Sequence, residues 1–301
     1  MPSPSRGQRE AKNRLQYRGF RTLQWVMERL PRRVAYALAI VVARFAFIFA
    51  VNPRRALEAN LEVALPEASR SAILRLVWRN FRYHSKAYCD LMRMPRARVE
   101  ELKPLMRIDG VEHLAEAQAR GKGVLVVSAH MGSWEVAAAI WSSGFSPINL
   151  FAEELEPPEL YDWYRVTRAR LGISVLPLTR AGLRKVLQAL AAQETVLTAI
   201  DRDIVGSGVE VPFFGKPARI PDGPAQIALR YGAPLLPVRC TRQPDDTYLT
   251  VVYPPVFAEP TGDRAADLRR VTGELVRHLE EMIREYPEQW HMPHRIWDAA
   301  R

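Results

Sequence analysis

Short apolar runs alternate with amphipathic segments over the C-terminal two thirds of the chain. The apolar runs are residues 123–128, 147–151, 173–178, 195–200, 234–240 and 248–253. Helix-like stretches lie between most of them, at residues 159–171, 183–192 and 223–231, and residues 267–286 predict a long final helix. Apolar runs of strand length that are separated by helices are typical of a parallel sheet covered on both faces. The pattern therefore predicts an α/β fold with a single largely parallel sheet flanked by helices.

The first hundred residues have a different pattern, which predicts a helical N-terminal module. Residues 55–65 and 72–92 have helical apolar spacing, and residues 34–51 form an 18-residue apolar segment whose one charge is Arg44. This length is at the lower edge for a spanning helix, and a central arginine costs about 2.5–3.5 kcal/mol on insertion. A helix in the membrane plane, with Arg44 reaching lipid phosphates, is physically easier. A spanning helix and a buried helix of a soluble fold remain the alternatives.

Charge is concentrated near this apolar segment. Residues 1–60 contain eleven arginines and one lysine against three glutamates, a net +9, whereas the whole chain is only +10. A basic cluster beside an apolar helix favours an anionic membrane surface as partner, and a solvated basic tail is the alternative. Nucleic acid is not expected, because no zinc spacing, helix-turn-helix or RNP-like pattern accompanies the charge. We divide the chain into a basic segment (1–33), an apolar membrane-associating helix (34–51) and an α/β domain (52–301).

Cysteine usage and the N-terminus indicate the compartment. Cys89 and Cys240 lie among apolar neighbours and provide no disulfide framework. The polar, arginine-rich start does not resemble a cleavable signal peptide. We therefore expect the α/β domain on the cytoplasmic face of the cell (inner) membrane, peripheral or anchored through its N-terminus.

The candidate chemistry begins at the sequence His130-Met-Gly-Ser-Trp-Glu135, which follows the apolar run 123–128. A histidine at the carboxyl end of a strand, with a carboxylate five residues on, is a suitable general base. Ser133 is expected to cap the next helix and Glu135 to lie in its first turn, where negative charge is favoured. The alternative is an ordinary loop histidine beside a helix acid.

A second polar constellation, Asp201-Arg202-Asp203, follows the apolar run 195–200. In open α/β sheets, functional sites gather beyond the carboxyl ends of the strands. His130 and Asp201 occupy that kind of position on separate strands, so we expect both to face one cleft.

Several blocks in one order resemble the glycerolipid acyltransferase superfamily, in particular its bacterial lipid A lauroyl/myristoyl acyltransferase branch. The blocks are the His-x4-Glu motif, Asp201-Arg-Asp203, Gly208-Val-Glu-Val-Pro-Phe-Phe-Gly215, Pro221-Asp-Gly-Pro-Ala225, Gly232-Ala-Pro-Leu-Leu-Pro237 and Pro287-Glu-Gln-Trp-His-Met292. Residues 152–161, 171–179 and 201–203 look most like the phosphatidylinositol mannoside acyltransferases. The acid pair Glu135 and Asp201 resembles the lipid A enzymes more.

The resemblance implies a membrane-associated O-acyltransferase. It moves a fatty acyl chain from acyl-CoA or acyl carrier protein to a glycolipid hydroxyl, best a phosphatidylinositol mannoside. A late step of lipid A acylation and another lysophospholipid acyltransferase are the alternatives. No metal and no cofactor beyond the thioester co-substrate are expected. A serine hydrolase is disfavoured, because no G-x-S-x-G elbow is present, and a non-catalytic membrane-binding protein is the alternative from another class.

The resemblance and the chemistry together assign candidate roles to the site residues. His130 is the expected general base, with Glu135 as its preferred carboxylate partner and Asp201 as the second candidate. Backbone N–H groups near Gly132 are expected to bind the oxyanion. The substrate-binding candidates are Arg168, which matches an arginine contacting the acceptor head group in the mannoside enzymes, Arg202 and Glu210.

Overall fold

The structure, a computed structural model, describes residues 6–204 and 206–297, with side chains from residue 12 onward. Residues 1–5 of the basic segment and 298–301 of the α/β domain lie outside the described residues. The helices are α1 (Arg6–Arg29), α2 (Arg32–Phe49), α3 (Val51–Ala64), α4 (Arg70–Arg93), α5 (Val99–Leu102), α6 (Val111–Gln118), α7 (Trp134–Gly144), α8 (Pro158–Ala169), α9 (Arg180–Ala191), α10 (Gly223–Tyr231) and α11 (Arg264–Glu285). The strands are β1 (Met106–Asp109), β2 (Val124–Ser128), β3 (Ile148–Ala152), β4 (Ile173–Pro177), β5 (Thr195–Ala199), β6 (Val209–Phe213), β7 (Lys216–Ile220), β8 (Leu235–Arg242) and β9 (Tyr248–Val252).

The central sheet confirms the predicted α/β fold. Its strand order is β1-β9-β8-β2-β5-β3-β4. Strands β8, β2, β5, β3 and β4 are parallel, whereas β9 is antiparallel to β8 and pairs in parallel with β1. All six apolar runs are strands of this sheet. The periodicity did not reveal β1 or the β6–β7 hairpin, which are short segments with little continuous apolar sequence.

Helices cover both faces of the sheet, as the side chains of β2 show. Leu125 and Val127 belong to a core cluster that contains residues of α3, α4, α9, α10 and α11. Val124 and Val126 point to the opposite face and belong to a cluster with residues of α6 and α7. A strand that is buried on both faces has no polar face, which explains why β2 reads as a continuous apolar run.

The predicted apolar helix is present as α2, and a sharp bend separates it from the next helix, α3. Helix α2 ends at Phe49, α3 begins at Val51, and the two axes are bent by 88°. Pro53 explains the break, because proline has no N–H to donate to the carbonyl of Phe49 and its ring would collide with that carbonyl in a continuous helix. Among the described helices none is by itself long and apolar enough to cross a membrane, although the bent pair α2–α3 meets that criterion by length and composition.

Helix α2 has one buried and one exposed apolar face. Small residues and one tyrosine are buried along α4: Ala35, Tyr36, Ala39 and Ala43. Large apolar side chains on other faces are exposed: Val34, Val41, Val42, Phe45, Ile48 and Phe49. Helix α2 is therefore packed on the rest of the chain, and it presents an apolar surface outward.

A buried polar network fastens α2 and α4 to the sheet. Asp90 of α4 accepts hydrogen bonds from the hydroxyls of Tyr36 (2.5 Å) and Tyr248 (2.9 Å), and it forms an ion pair with Arg242. Arg242 is 1% exposed, so its charge depends on this carboxylate. The network holds the N-terminal helices against β8 and β9, beside the strand end that carries His130.

Candidate active site

Strand pairing brings the two predicted constellations together. Strands β2 and β5 are parallel neighbours, with Ser128 opposite Ala199 at their carboxyl ends. The backbone then continues from each strand into a short loop, one carrying His130 and the other Asp201. Both residues therefore lie at the same edge of the sheet, as expected from their positions at strand ends.

His130 and Asp201 form a directly bonded pair. The His130 Nδ1 lies 2.6 Å from Asp201 Oδ1, and the His130 backbone N–H donates to Asp201 Oδ2 at 2.9 Å. Asp201 is completely buried, whereas 45% of the His130 side chain is exposed. The carboxylate holds the proton on Nδ1, so Nε2 is the ring nitrogen left to accept a proton from outside.

The opposite charges of His130 and Asp201 each favour the ionised form of the other residue. The negative charge of Asp201 raises the pKa of His130 against the opposing effect of burial, and the hydrogen bond to Asp201 adds to the rise. Burial by itself would raise the pKa of Asp201, but the charge and hydrogen bonds of His130 and the N–H of Trp290 outweigh it and lower that pKa. Asp201 is therefore an anion at neutral pH, and it stabilises the imidazolium form of His130.

Residues of the Pro287–Met292 block hold the His130–Asp201 pair in place, a role that the sequence did not predict. The Trp290 indole N–H donates to Asp201 Oδ2 at 2.9 Å, and the ring is fully buried. The His291 N–H donates to the His130 carbonyl at 2.8 Å, and Trp290 forms an isolated β-bridge with Met131. These contacts fix both the buried carboxylate and the backbone that carries the imidazole. The sequence around Trp290, which follows a short turn after α11, carries no pattern that predicts a polar contact.

Glu135 is not hydrogen-bonded to the imidazole of His130, so the prediction that Glu135 is the main partner of the base is wrong. Its Oε1 lies 3.2 Å from Arg168 Nη2, and both side chains are mostly buried. Burial raises the pKa of Glu135, with Arg168 opposing that rise. Glu135 lies in the first turn of α7, as expected, and the helix directs its side chain toward α8 rather than toward the ring. The charge of Glu135 still contributes slightly to the raised pKa of His130.

The residues between His130 and Glu135 correct two smaller expectations. The Gly132 N–H donates to the Gln289 carbonyl at 3.0 Å, so it is not free to bind an oxyanion. Gly132 has φ +64°, and a Cβ there would lie 1.7 Å from the Cys240 carbonyl oxygen, so only glycine fits. Ser133 occupies the N-cap position of α7, but its hydroxyl accepts from Arg242 at 3.3 Å instead of capping the helix.

The three predicted substrate-binding residues occupy different surroundings. Arg168 is 8% exposed and its guanidinium lies over the rings of Trp134 and Tyr164. Arg202 is partly exposed, pairs with Glu153 at 3.6 Å, and lies near enough to His130 to oppose the rise of its pKa.

Glu210 is on the exposed face of the β6–β7 hairpin, opposite Arg219. Within the described residues, no hydrogen bond or ion pair joins Glu210 to the His130–Asp201 pair. The structure thus places Arg202 near His130, links Arg168 to the site through Glu135, and leaves Glu210 outside the immediate contacts of the pair.

A neutral histidine pair forms one wall beside His130. The rings of His84 and His291 stack with centroids 3.3 Å apart, and His291 Nδ1 bonds Asn80 Oδ1 at 2.7 Å. Burial lowers the pKa of His84 to about 3 and holds that of His291 well below its usual range. Both rings are therefore uncharged at neutral pH, and they add no positive charge to the site.

The sequence matches a known family of enzymes. Residues 18–299 match the family described as bacterial lipid A biosynthesis acyltransferase, so the chain belongs to that family and is an acyltransferase. It is 31% identical to a phosphatidylinositol mannoside acyltransferase of Mycolicibacterium smegmatis over 220 residues, which cover 72% of this chain and 70% of the relative.

Two further relatives extend the comparison. The lipid A biosynthesis lauroyltransferase of Escherichia coli is 29% identical over 280 residues, covering 90% of this chain and 87% of the relative. Among solved structures, a 1-acyl-sn-glycerophosphate acyltransferase from Thermotoga maritima aligns with a TM-score of 0.37 and 16% identity, over 84% of this chain and 99% of that one. The matching family and the two sequence relatives are acyltransferases, so a non-catalytic membrane-binding protein is no longer an alternative.

Proposed function

We propose that this acyltransferase moves a fatty acyl chain from an acyl-CoA or acyl carrier protein thioester to a hydroxyl group of a glycolipid, with His130 as general base. The contact that carries the proposal is the 2.6 Å bond between His130 Nδ1 and the buried carboxylate of Asp201. A base that is oriented on one nitrogen and exposed on the other suits deprotonation of an alcohol.

His130 alone can carry out both proton transfers of the reaction. Nε2 of His130 accepts the hydroxyl proton while the alcohol oxygen attacks the thioester carbonyl, and Asp201 stabilises the imidazolium that forms. Collapse of the tetrahedral intermediate breaks the C–S bond, and the imidazolium returns its proton to the leaving thiolate. Since the Gly132 N–H is already bonded, we infer that a backbone N–H at the N-terminal end of α7 stabilises the oxyanion.

A phosphatidylinositol mannoside is the acceptor that we propose first, because the relative from Mycolicibacterium smegmatis carries that substrate in its name. Lipid A is the second candidate, because the lauroyltransferase relative matches a larger share of the chain. For an acceptor phosphate we propose Arg202, which lies near the pair, and Arg168, which pairs with Glu135.

We expect purified protein to transfer radiolabelled palmitate from palmitoyl-CoA to one of these glycolipids and to release CoA in equal amount. The assay offers a phosphatidylinositol mannoside, a lipid A precursor and lysophosphatidic acid in parallel, each with acyl-CoA and acyl carrier protein donors. Product in the mannoside arm supports the first proposal, whereas product in the lipid A arm alone selects the second. Acylation of lysophosphatidic acid alone would overturn the glycolipid assignment.

We also propose that the exposed face of α2 binds the membrane. Phe45, Ile48 and Phe49 are 60%, 53% and 76% exposed, and they lie within one turn at the end of α2. Arginines from α1 to α3 supply the electrostatic attraction to anionic lipid, and the apolar side chains supply an attraction that salt does not screen. The placement at the inner face of the cell membrane is part of this proposal.

Replacing Phe45, Ile48 and Phe49 by serine should lower the fraction of protein that floats with phosphatidylglycerol liposomes by at least about tenfold. Each side chain has roughly half its apolar surface left to bury, worth about 1 kcal/mol. High salt should weaken binding of the native chain but not remove it. The matched control replaces Val111, Phe145 and Leu183, which are also exposed but distant in sequence. Equal losses of liposome binding in both triple variants would show that the exposed face of α2 is not the membrane-binding surface.

A further inference from the structure

A polar groove separates α1 from α8 on the side of α8 away from the Arg168–Glu135 pair. It has a volume of about 350 Å³. Its walls combine basic, polar and apolar side chains: Arg21, Gln24, Glu28, Pro95, Arg96, Trp163, Val166, Thr167 and Arg170. We call it the α1–α8 groove. None of its lining residues belongs to the His130–Asp201 pair, and the groove lies outside the chemistry proposed above.

Three arginines converge on the groove with one acid between them. Glu28 pairs with Arg96 at 3.4 Å. Within the described part of the chain, Arg21 and Arg170 have no ion-pair partner, so two positive charges remain uncompensated. Like charges that line one concavity raise the local concentration of anions. Guanidinium groups bind phosphate through paired N–H donors, which makes a phosphate the anion that this groove fits.

The groove also contains the unpaired side-chain oxygen of Gln24, which needs a hydrogen-bond donor. Its side chain is 5% exposed, and its Nε2 donates to Glu28 Oε1 at 2.6 Å. That bond fixes the amide orientation and leaves the buried Gln24 Oε1 with no hydrogen-bond partner among the described residues. An unpaired buried carbonyl oxygen calls for a donor. The phosphodiester of a phospholipid has no donor at neutral pH, whereas a hydroxyl group next to it does.

We propose that the α1–α8 groove binds a phosphorylated polyol, with its phosphate on Arg21 and Arg170 and a hydroxyl donating to Gln24 Oε1. The same chemistry is present in the head group of a glycerol-based anionic phospholipid and in a free sugar or glycerol phosphate. Trp25, next to Gln24 in α1, is 57% exposed, and tryptophan is enriched at membrane interfaces. This exposed indole favours the lipid head group as the source.

Binding is measured on the full chain without any acyl donor, so the result does not depend on the acyl-transfer proposal. The probes are dihexanoyl-phosphatidylglycerol below its critical micelle concentration, dihexanoyl-phosphatidylcholine, glycerol 3-phosphate and inorganic phosphate, each titrated by calorimetry. The test variant is Arg21→Gln/Arg170→Gln. The control is Arg184→Gln/Lys185→Gln, which removes two charges from exposed positions of α9 outside the groove. A second test variant, Gln24→Leu, removes the unpaired acceptor.

We expect the native chain to bind phosphatidylglycerol. The arginine variant should bind this lipid about a hundredfold more weakly, because each lost guanidinium costs roughly tenfold in affinity. The control variant should bind it as tightly as the native chain does. Gln24→Leu should reduce the affinity for phosphatidylglycerol and leave that for phosphatidylcholine, whose head group has no hydroxyl donor, unchanged. Binding of glycerol 3-phosphate but not of the lipid would support the polyol chemistry and assign it to a soluble ligand. Equal affinity in the native chain and the arginine variant, or phosphatidylcholine binding as tightly as phosphatidylglycerol, would overturn the proposal.

Discussion

His130→Ala is expected to reduce the rate of acyl transfer by about 10²–10⁴-fold, which is typical for loss of a general base. The side chain is 45% exposed, and among the described residues its ring bonds only to Asp201. The substitution therefore removes the proton acceptor while leaving the apolar core intact. Initial rates of thiol release with a saturating lipid acceptor measure the effect, and circular dichroism together with a thermal melt reports on the fold.

His113→Ala is the matched control, because His113 lies on α6 and pairs only weakly, at 3.8 Å, with Glu116. Its rate should equal that of the native chain. If His130→Ala, folded as judged by the melt, kept a rate near that of the native chain, His130 could not be the base and the proposed mechanism would be wrong.

Asp201→Asn is expected to lower kcat by about 10²–10⁴-fold with little change in KM, because an amide cannot hold the proton on His130 Nδ1 and leaves the wrong tautomer. Glu135→Gln should have a smaller effect on kcat and a larger one on KM, since Glu135 pairs with Arg168 beside the site. Steady-state kinetics of the two variants distinguish these roles. The reverse order of effects would restore Glu135 as the partner of the base.

The pH dependence gives a second measure of the same pair. Because Asp201 raises the pKa of His130, kcat/KM of the native enzyme should fall on acidification at a pH above the ordinary histidine value of about 6.5. In Asp201→Asn this acid limb should move to lower pH, since the charge that favours imidazolium is lost. In Glu135→Gln it should move little. An acid limb that stays in place in Asp201→Asn would show that another group controls it.

The sheet and the positions of His130 and Asp201 were predictable because both depend on local sequence. A strand buried on two faces must be apolar throughout, so each parallel strand is visible as a run, and the residue that follows the run lies at the carboxyl edge. The pairing of β2 with β5, which places the two loops side by side, is a property of the sheet order. Sequence spacing carries no information on that order.

The partner of the imidazole was mispredicted for a related reason. Glu135 is near His130 in the chain, but the start of α7 turns its side chain toward Arg168 of α8. Asp201, which is distant in the chain, reaches the ring across two adjacent strands. Proximity in sequence favoured the wrong carboxylate because a helix fixes side-chain direction as well as position.

Periodicity, composition and a motif of adjacent residues were enough to predict the α/β class, the strands that carry the site, the base candidate and the apolar, basic N-terminus. The packing of the folded chain established that Asp201 binds His130, that Trp290 supports Asp201, and that the Gln289 carbonyl accepts from the Gly132 N–H. It also decided that α1 and α8 enclose a basic groove. Each of these contacts joins residues that are far apart in the chain, and their distances are set by how strands and helices pack rather than by any local pattern.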